Sequence, residues 1–252
     1  KEYLLQTNVV TEFVRYCPII DNRIFHTYPA QIDVLDNIYI DLSKGIEDVW
    51  NNSFEYRVRK TIKKAGEYPL STLFVTGKEV SEEQLSIFYY IYINTMQRKE
   101  ADKFYYFEKS FFSTLLQNLG SCALLSITYV SDNPASAELV LLGTKIAYGF
   151  LGGTLNEYYQ YKVNTYQRWE ILKYLISIGK EKYSLGGGAS RNDSIYKYKK
   201  NFSKNCYNPF YIGTYVHLQD IYKIILSQWK EKYPLAASKY ANKLQGYRHQ
   251  LE

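Results

Sequence analysis

The sequence predicts an α+β fold, a mixed and mostly antiparallel sheet flanked by helices, and three observations predict it. Strand-like runs open the chain at Val9–Arg15 and Ile38–Leu42. Helical spacing follows from Ser53 to Gly120. Beyond Cys122 come three short apolar segments separated by turn residues, then a helix and another strand.

Within SFEYRVRKTIKKAG, Phe54, Val58, Thr61, Ile62 and Ala65 fall on one helical face, with Ser53 as N-cap and Gly66 as stop. The opposite face carries Arg57, Arg59, Lys60, Lys63 and Lys64. At Ser81 the pattern S-x-x-Q forms a capping box with Gln84, ahead of Leu85, Phe88, Tyr89, Tyr92 and Met96 at helical spacing. A third helix reads from Glu108 to Gly120. The segments CALLSITYV, SAELVLL and KIAYGFLGG then read as an antiparallel meander. Helical spacing returns from Thr165 to Ile178 through Trp169, Leu172 and Ile176, and Gly179 ends it before the strand YSLGG. That crossover places a helix beside a partly parallel sheet. NPFYIGTYVHL reads as a last strand and Leu218–Tyr233 as a terminal helix.

The chain has 252 residues, 46% of them hydrophobic and 22% charged, enough for one large domain or two small ones. Its net charge of +6 suits a phosphate-bearing partner and equally suits none. The 28 tyrosines can fill a core or line a polar groove. Cys17, Cys122 and Cys206 are odd in number and widely spaced, which points away from a disulfide framework and from a zinc site; no metal is expected. No apolar run approaches the ~20 residues of a membrane-spanning helix, and the first ten residues are not a signal peptide, so the expectation is a cytoplasmic protein. A start at Lys1 suggests a processed or partial product, and the closing Leu-Glu a vector scar.

Six stretches carry a resemblance: EFVRYCPII (12–20), IYIDLS (38–43), RKTIKKA (59–65), YINTMQRKEADKFYYF (92–107), YSLGGG (183–188) and DSIYKYKKNFS (193–203). In this order they resemble the Fem aminoacyltransferases that build peptidoglycan interpeptide bridges, and the wider acyltransferases of the Gcn5-related N-acetyltransferase (GNAT) fold. The resemblance implies a GNAT-like acyl-CoA N-acyltransferase fold forming the second half of a Fem-like tandem. Residues 1–45 would be the tail of a first GNAT-like subdomain and residues 46–252 the acyltransferase domain. It implies an enzyme that transfers an acyl or aminoacyl group to an amine by direct attack. The acceptor would be a nucleotide-sugar or other cell-envelope, peptidoglycan or glycan precursor. The donor would be acetyl-CoA or aminoacyl-tRNA, with tRNA a partner in the second case and no cofactor tightly bound.

Residue by residue, the resemblance assigns Arg59 to the acceptor's phosphates, with Lys63 beside it among the substrate-binding residues; otherwise this face is ordinary solvated helix. Tyr198 and Lys199 match a Phe-Lys pair placed at the reacting carbonyl, with Phe202 following as a substrate-binding position. Acyl transfer to an amine builds negative charge on a tetrahedral oxygen, and one positioned cation or donor there is worth ~3 kcal/mol. Lys199 is therefore the first choice for stabilising the intermediate, the plain alternative being a surface lysine on a strand or turn. Lys197, Lys200 and Lys204 read as solvent-facing or phosphate-contacting. Thr95, Arg98 and Tyr106 are expected to border the cleft, Arg98 and Tyr106 as substrate-binding residues, with buried helix packing an equal explanation.

The run LGGG at 185–188 lets backbone approach a ligand closely but lacks dinucleotide or P-loop spacing. After FLGGT (150–154), the segment NEYYQYKVNTYQR lacks the glycine-spaced loop on which acetyltransferases of this fold cradle a pyrophosphate, which weakens without excluding coenzyme A as donor and leaves the donor-binding residues unassigned. No general base stands out: His26, His217 and His249 have no triad spacing, and Asp193 and Glu138 are the carboxylates that could orient or deprotonate the amine. The reading from another class is a non-catalytic relative that binds RNA or a glycan through interleaved tyrosines and lysines.

Overall fold

The computed structural model describes residues 2–20, 22–25, 30–188 and 190–250; His26 lies outside them. The chain forms two compact units, one made of residues 37–207 and the other of residues 1–36 with 208–252.

In the larger unit the chain enters on β2 (Ala30–Asp41), whose end from Asn37 belongs there, and makes a short helix, α2 (Ile46–Asp48), that passes into a π-helical turn at Val49–Ser53. Then come α3 (Tyr56–Ala65), β3 (Leu70–Thr76), α4 (Glu82–Arg98), α5 (Lys109–Leu119), β4 (Ala123–Val130), β5 (Asn133–Leu142), β6 (Ile146–Thr154), α6 (Val163–Ser177), β7 (Lys182–Gly186) and α7 (Ser194–Lys200). The strands lie in the order β2-β7-β6-β5-β4-β3. Every neighbouring pair is antiparallel except β6 and β7, which run parallel on either side of the α6 crossover.

The expected capping box is present: Ser81 Oγ accepts from the Gln84 N–H while Gln84 Oε1 accepts from the Ser81 N–H. The meander and its α6 crossover also match the apolar pattern. The start of α3 does not. Its N-cap is Glu55, and Ser53 ends the π-helical turn instead, because Phe54 is drawn into the core and the helix begins only beyond it. The seven-residue helix α7 has no counterpart in the sequence reading.

Two apolar clusters sandwich the sheet. One packs α3 and α6 against Ile38, Ile40, Leu124, Val140 and Tyr183; the other packs α4 and α5 against Leu125, Ile127, Ala137 and Leu139. Alternate residues of β4 and β5 thus face opposite layers, so nearly all of β4 is buried.

The smaller unit holds a helix at Glu2–Gln6 (α1), the pair β1 (Thr11–Arg15) and β8 (Tyr207–Val216), and the helices α8 (Gln219–Lys232) and α9 (Pro234–Tyr240). The expected terminal helix is α8, and a further helix, α9, opens after it at Pro234. Its own cluster gathers Trp229, Ala236 and Ala237. His217 pairs through Nε2 with Glu12 at 3.0 Å, and the His249 ring stacks on Tyr240. No helix among the described residues is long and apolar enough to cross a membrane.

Candidate active site

Strands β6 and β7 pair in parallel only over Ile146–Tyr148 and Lys182–Ser184. Beyond Tyr148 they part, and a cavity of about 230 Å³ occupies the gap. It is lined by β6 residues 149–154, by Ser136, Ala137 and Glu138 of β5, by Asn164, Gln167 and Arg168 of α6, and by Leu185, Tyr198 and Lys199.

Lys199 reaches the cavity because of how α7 is built. Asp193 caps the helix, accepting from the Tyr196 N–H at 2.7 Å through one oxygen and from the Ser190 N–H at 3.0 Å through the other. Its far end is held by the Glu55 N–H donating to Asn201 O at 2.8 Å and the Lys204 N–H donating to Ser53 O at 3.1 Å. Phe202, fully buried, stands edge-on to Phe54 and Tyr198. With both ends fixed, spacing sets the faces: Tyr196 and Lys199, three apart, turn inward, while Lys197 and Lys200 are exposed. Lys199 Nζ donates to Gly187 O at 2.6 Å. Gly186 before it has φ +71, a left-handed conformation that lets the chain turn from β7 toward α7.

Behind Lys199 lies a buried charge network. Arg168 donates to Glu138 Oε2 at 3.1 Å, their side chains only 14% and 13% exposed. Tyr183 donates to Glu138 Oε1. The Arg168 guanidinium also lies 5.4 Å from the Phe202 ring centroid and 5.9 Å from that of Tyr198. Burial works against the charge on Arg168, but the Glu138 carboxylate more than offsets it and the pKa ends above the ordinary arginine value. Burial first, then Glu138, pushes the Tyr183 hydroxyl well above its ordinary range. Tyr198 is raised by burial, with Arg168 opposing, and its buried hydroxyl sits beside Thr165. For Lys199, burial and next the neighbouring Arg168 charge pull the pKa from 10.5 to about 8, while Glu138 and Asp193 act in the opposite sense. The cavity thus presents a desolvated ammonium close to its titration point.

The remaining predicted residues are placed as follows. Arg98 donates to Thr154 O at 3.0 Å, and Thr95 accepts from the Thr154 N–H at 3.2 Å, so both brace the cavity rim from α4. Tyr106 follows a single helical turn at Lys103–Tyr105 and does not line the cavity. Arg59 and Lys63 line a separate hollow of about 150 Å³ with Trp50, Tyr56 and Lys60. Arg59 Nη1 is engaged there by Phe54 O at 2.6 Å and Trp50 O at 3.3 Å, which secures the π-helical turn. Asp193 and Glu138 have their carboxylates occupied, by backbone N–H groups and by Arg168 with Tyr183 respectively. Where a glycine-spaced loop would run, Asn156–Tyr161 forms a 3-10 helix leading to Lys162 at φ 58. No group of three or more potential metal ligands occurs among the described residues.

Arg168 and Tyr183 are the participants that sequence reading missed. The register through Trp169, Leu172 and Ile176 set Arg168 aside; the buried set is Val163, Thr165, Gln167, Ile171, Leu172 and Leu175, and in that register Arg168 precedes Ile171 and Leu172 by three and four residues. A charged residue at that spacing, with a lone carboxylate inside SAELVLL, was the available signal.

The parallel pair β6 and β7 thus parts over a cavity that α6 and Lys199 also line. The chain belongs to the acetyltransferase (GNAT) domain family, whose sequence model matches residues 52–200. No curated protein matches it. Among solved structures it is similar to FemX, with TM-score 0.61 and 14% identity over 88% of this chain and 70% of that one. It is also similar to the C-terminal domain of a putative lysylphosphatidylglycerol synthetase from Agrobacterium fabrum, with TM-score 0.55 and 11% identity over 84% of this chain and 65% of that one. A third neighbour, L-PGS from Bacillus licheniformis, gives TM-score 0.55 and 10% identity over 85% of this chain and 64% of that one. The chain therefore spans less than two thirds of these last two, and at such identities the likeness is one of fold.

Proposed function

We propose that the protein is an N-acyltransferase that moves an acyl group from a coenzyme A thioester onto a primary amine of a phosphate-bearing cell-envelope precursor. The observation that carries this is Lys199, an ammonium without an ion pair among the described residues, set where β6 and β7 separate.

Beyond Tyr148 the edge of β6 no longer pairs with β7. The two amides of a pantetheine arm can add to such an edge as a strand would. The acyl carbonyl then lies toward Lys199. A neutral amine attacks the carbonyl carbon, a C–N bond forms, and the oxygen gains the charge that the Lys199 ammonium stabilises. Collapse breaks the C–S bond; the thiolate leaves, and the proton of the attacking nitrogen passes to solvent. The Tyr198 ring packs beside Arg168, so it shapes this wall rather than exchanging a proton. Phe202 and Arg98 support the site from outside the cavity, Phe202 against Tyr198 and Arg98 on Thr154 O. Arg59 and Lys63, in their separate hollow, are the proposed contacts for the acceptor's phosphates, and the likeness to a putative lysylphosphatidylglycerol synthetase favours an envelope precursor over other amines.

The test is to titrate the purified chain side by side with acetyl-CoA and with charged tRNA at two salt concentrations, followed by thiol release with a panel of amines. Saturable acetyl-CoA binding with amine-dependent thiol release supports the proposal. Salt-sensitive binding of charged tRNA alone replaces the donor with an aminoacyl ester. Binding of RNA or glycan without any transfer would overturn it.

A further inference from the structure

Titratable groups surround Lys199 from several elements: Arg168 on α6 and Glu138 on β5 line its cavity, Tyr183 on β7 bonds to Glu138 behind them, and Asp193 stands at the start of α7. Tyr198 sits on Lys199's own helix. A lysine facing a buried carboxylate would ordinarily pair with it and become a fixed, fully charged structural group. Here Glu138 faces the same cavity, yet Lys199 donates instead to the neutral carbonyl of Gly187. Both Glu138 oxygens are taken, one by Arg168 and the other by Tyr183. Asp193 is held by the backbone N–H groups of Ser190 and Tyr196.

We infer that Arg168 and Glu138 are positioning residues for acyl transfer: by pairing with each other, with Tyr183 completing the carboxylate's coordination, they keep Lys199 free of an ion pair and set its charge. This rests on the proposed function, since it gives the arrangement its purpose, but it concerns the resting protein. Arg168 is well suited to the task because its charge persists when buried, and its fork fixes the carboxylate in direction as well as in place. A lysine at 168 would supply charge with less direction. The Arg168 charge lowers the proton affinity of Lys199 and Glu138 raises it, so the two variants must move Lys199 in opposite senses, which a purely structural pair would not do.

The experiment is competitive labelling of the folded chain with trace acetic anhydride from pH 6 to 11, following the peptide that carries Lys199 by mass spectrometry, with exposed Lys200 as internal reference. Arg168→Gln is expected to raise the Lys199 titration midpoint by about one unit, through loss of the cation and release of Glu138. Glu138→Gln, which still offers Arg168 an acceptor, is expected to lower it by about one unit. Arg168→Lys should recover most of the wild-type value. Midpoints that stay within about 0.3 unit of wild type in both Arg168→Gln and Glu138→Gln, or that move in the same direction, overturn the inference. If Arg168→Gln does not fold, Glu138→Gln alone decides. Because labelling needs no substrate, opposite shifts with no acyl transfer would sink the proposed function and the pair's purpose in it while leaving its control of the Lys199 charge standing, whereas acyl transfer with unshifted midpoints would sink the inference and leave the proposed function standing.

Discussion

Two helices of the larger unit are rich in lysine and arginine, and they differ in what surrounds the charge. Helix α3 bears Arg57, Arg59, Lys60, Lys63 and Lys64, all exposed except Arg59, which is tied to two backbone carbonyls. Helix α7 bears only Lys197, Lys199 and Lys200, and Lys199 alone turns inward, beside a buried arginine. Its pKa falls to about 8. Charge density therefore locates a surface that can attract an anion, whereas desolvation beside a like charge locates the group whose protonation is poised for chemistry.

The contrast can be broken most forcefully at Lys199. Lys199→Met should reduce turnover by about 100-fold or more while changing donor affinity by less than about threefold, because the lost interaction is made only with the developing oxyanion. Steady-state kinetics with a donor titration read both. Next comes the rim of the cavity. A Cβ on Gly153 would lie 2.2 Å from Thr95 Oγ1 and 2.9 Å from Ile91 O, so Gly153→Ala should cost about 1–3 kcal/mol in urea unfolding. Stability and activity should then part company at Lys199 itself. It titrates at about 8 when folded and near 10.5 when unfolded, so at pH 7 the fold bears the cost of a desolvated ammonium. That cost is relieved as pH rises from 8 through 10.5. Lys199→Met should accordingly be more stable than wild type by about 1–3 kcal/mol at pH 7, and thermal melts should show the advantage fading toward pH 10.5. Removal of the Asp193 cap by Asp193→Ala should cost about 1 kcal/mol and loosen the lysine's placement. The smallest effect belongs to the other helix: Lys60→Ala with Lys63→Ala should change stability by no more than about 0.5 kcal/mol, and should raise the acceptor's KM in a salt-dependent way without lowering kcat.

These contrasts also mark what could be read from the chain. Elements with local rules were legible: Ser81 and Gln84 announce α4, Gly120 and Gly179 end α5 and α6, and the apolar segments of the meander alternate with turn residues. The helix α7 was not, because SIYKYKK has no apolar stripe and seven residues cannot hold a helix alone; Asp193 and the contacts with Ser53, Phe54 and Glu55 hold it. Lys199 was found through resemblance and not through periodicity. Arg168 was missed for the opposite reason. Helix α6 scatters apolar and polar residues around its circumference, so several registers fit the pattern, and only the strands packed against it select the face that carries Arg168 inward to Glu138.

The most direct test of the central claim is the dependence of kcat on pH from 6 to 10, with saturating coenzyme A thioester and an acceptor amine whose own pKa lies below 6, for wild type and for Lys199→Arg. If the Lys199 ammonium stabilises the developing oxyanion, wild-type kcat falls above about pH 8, following the depressed pKa, and Lys199→Arg stays active and loses that falling limb. An identical limb in both proteins, or a wild-type profile that is flat to pH 10, would contradict the account.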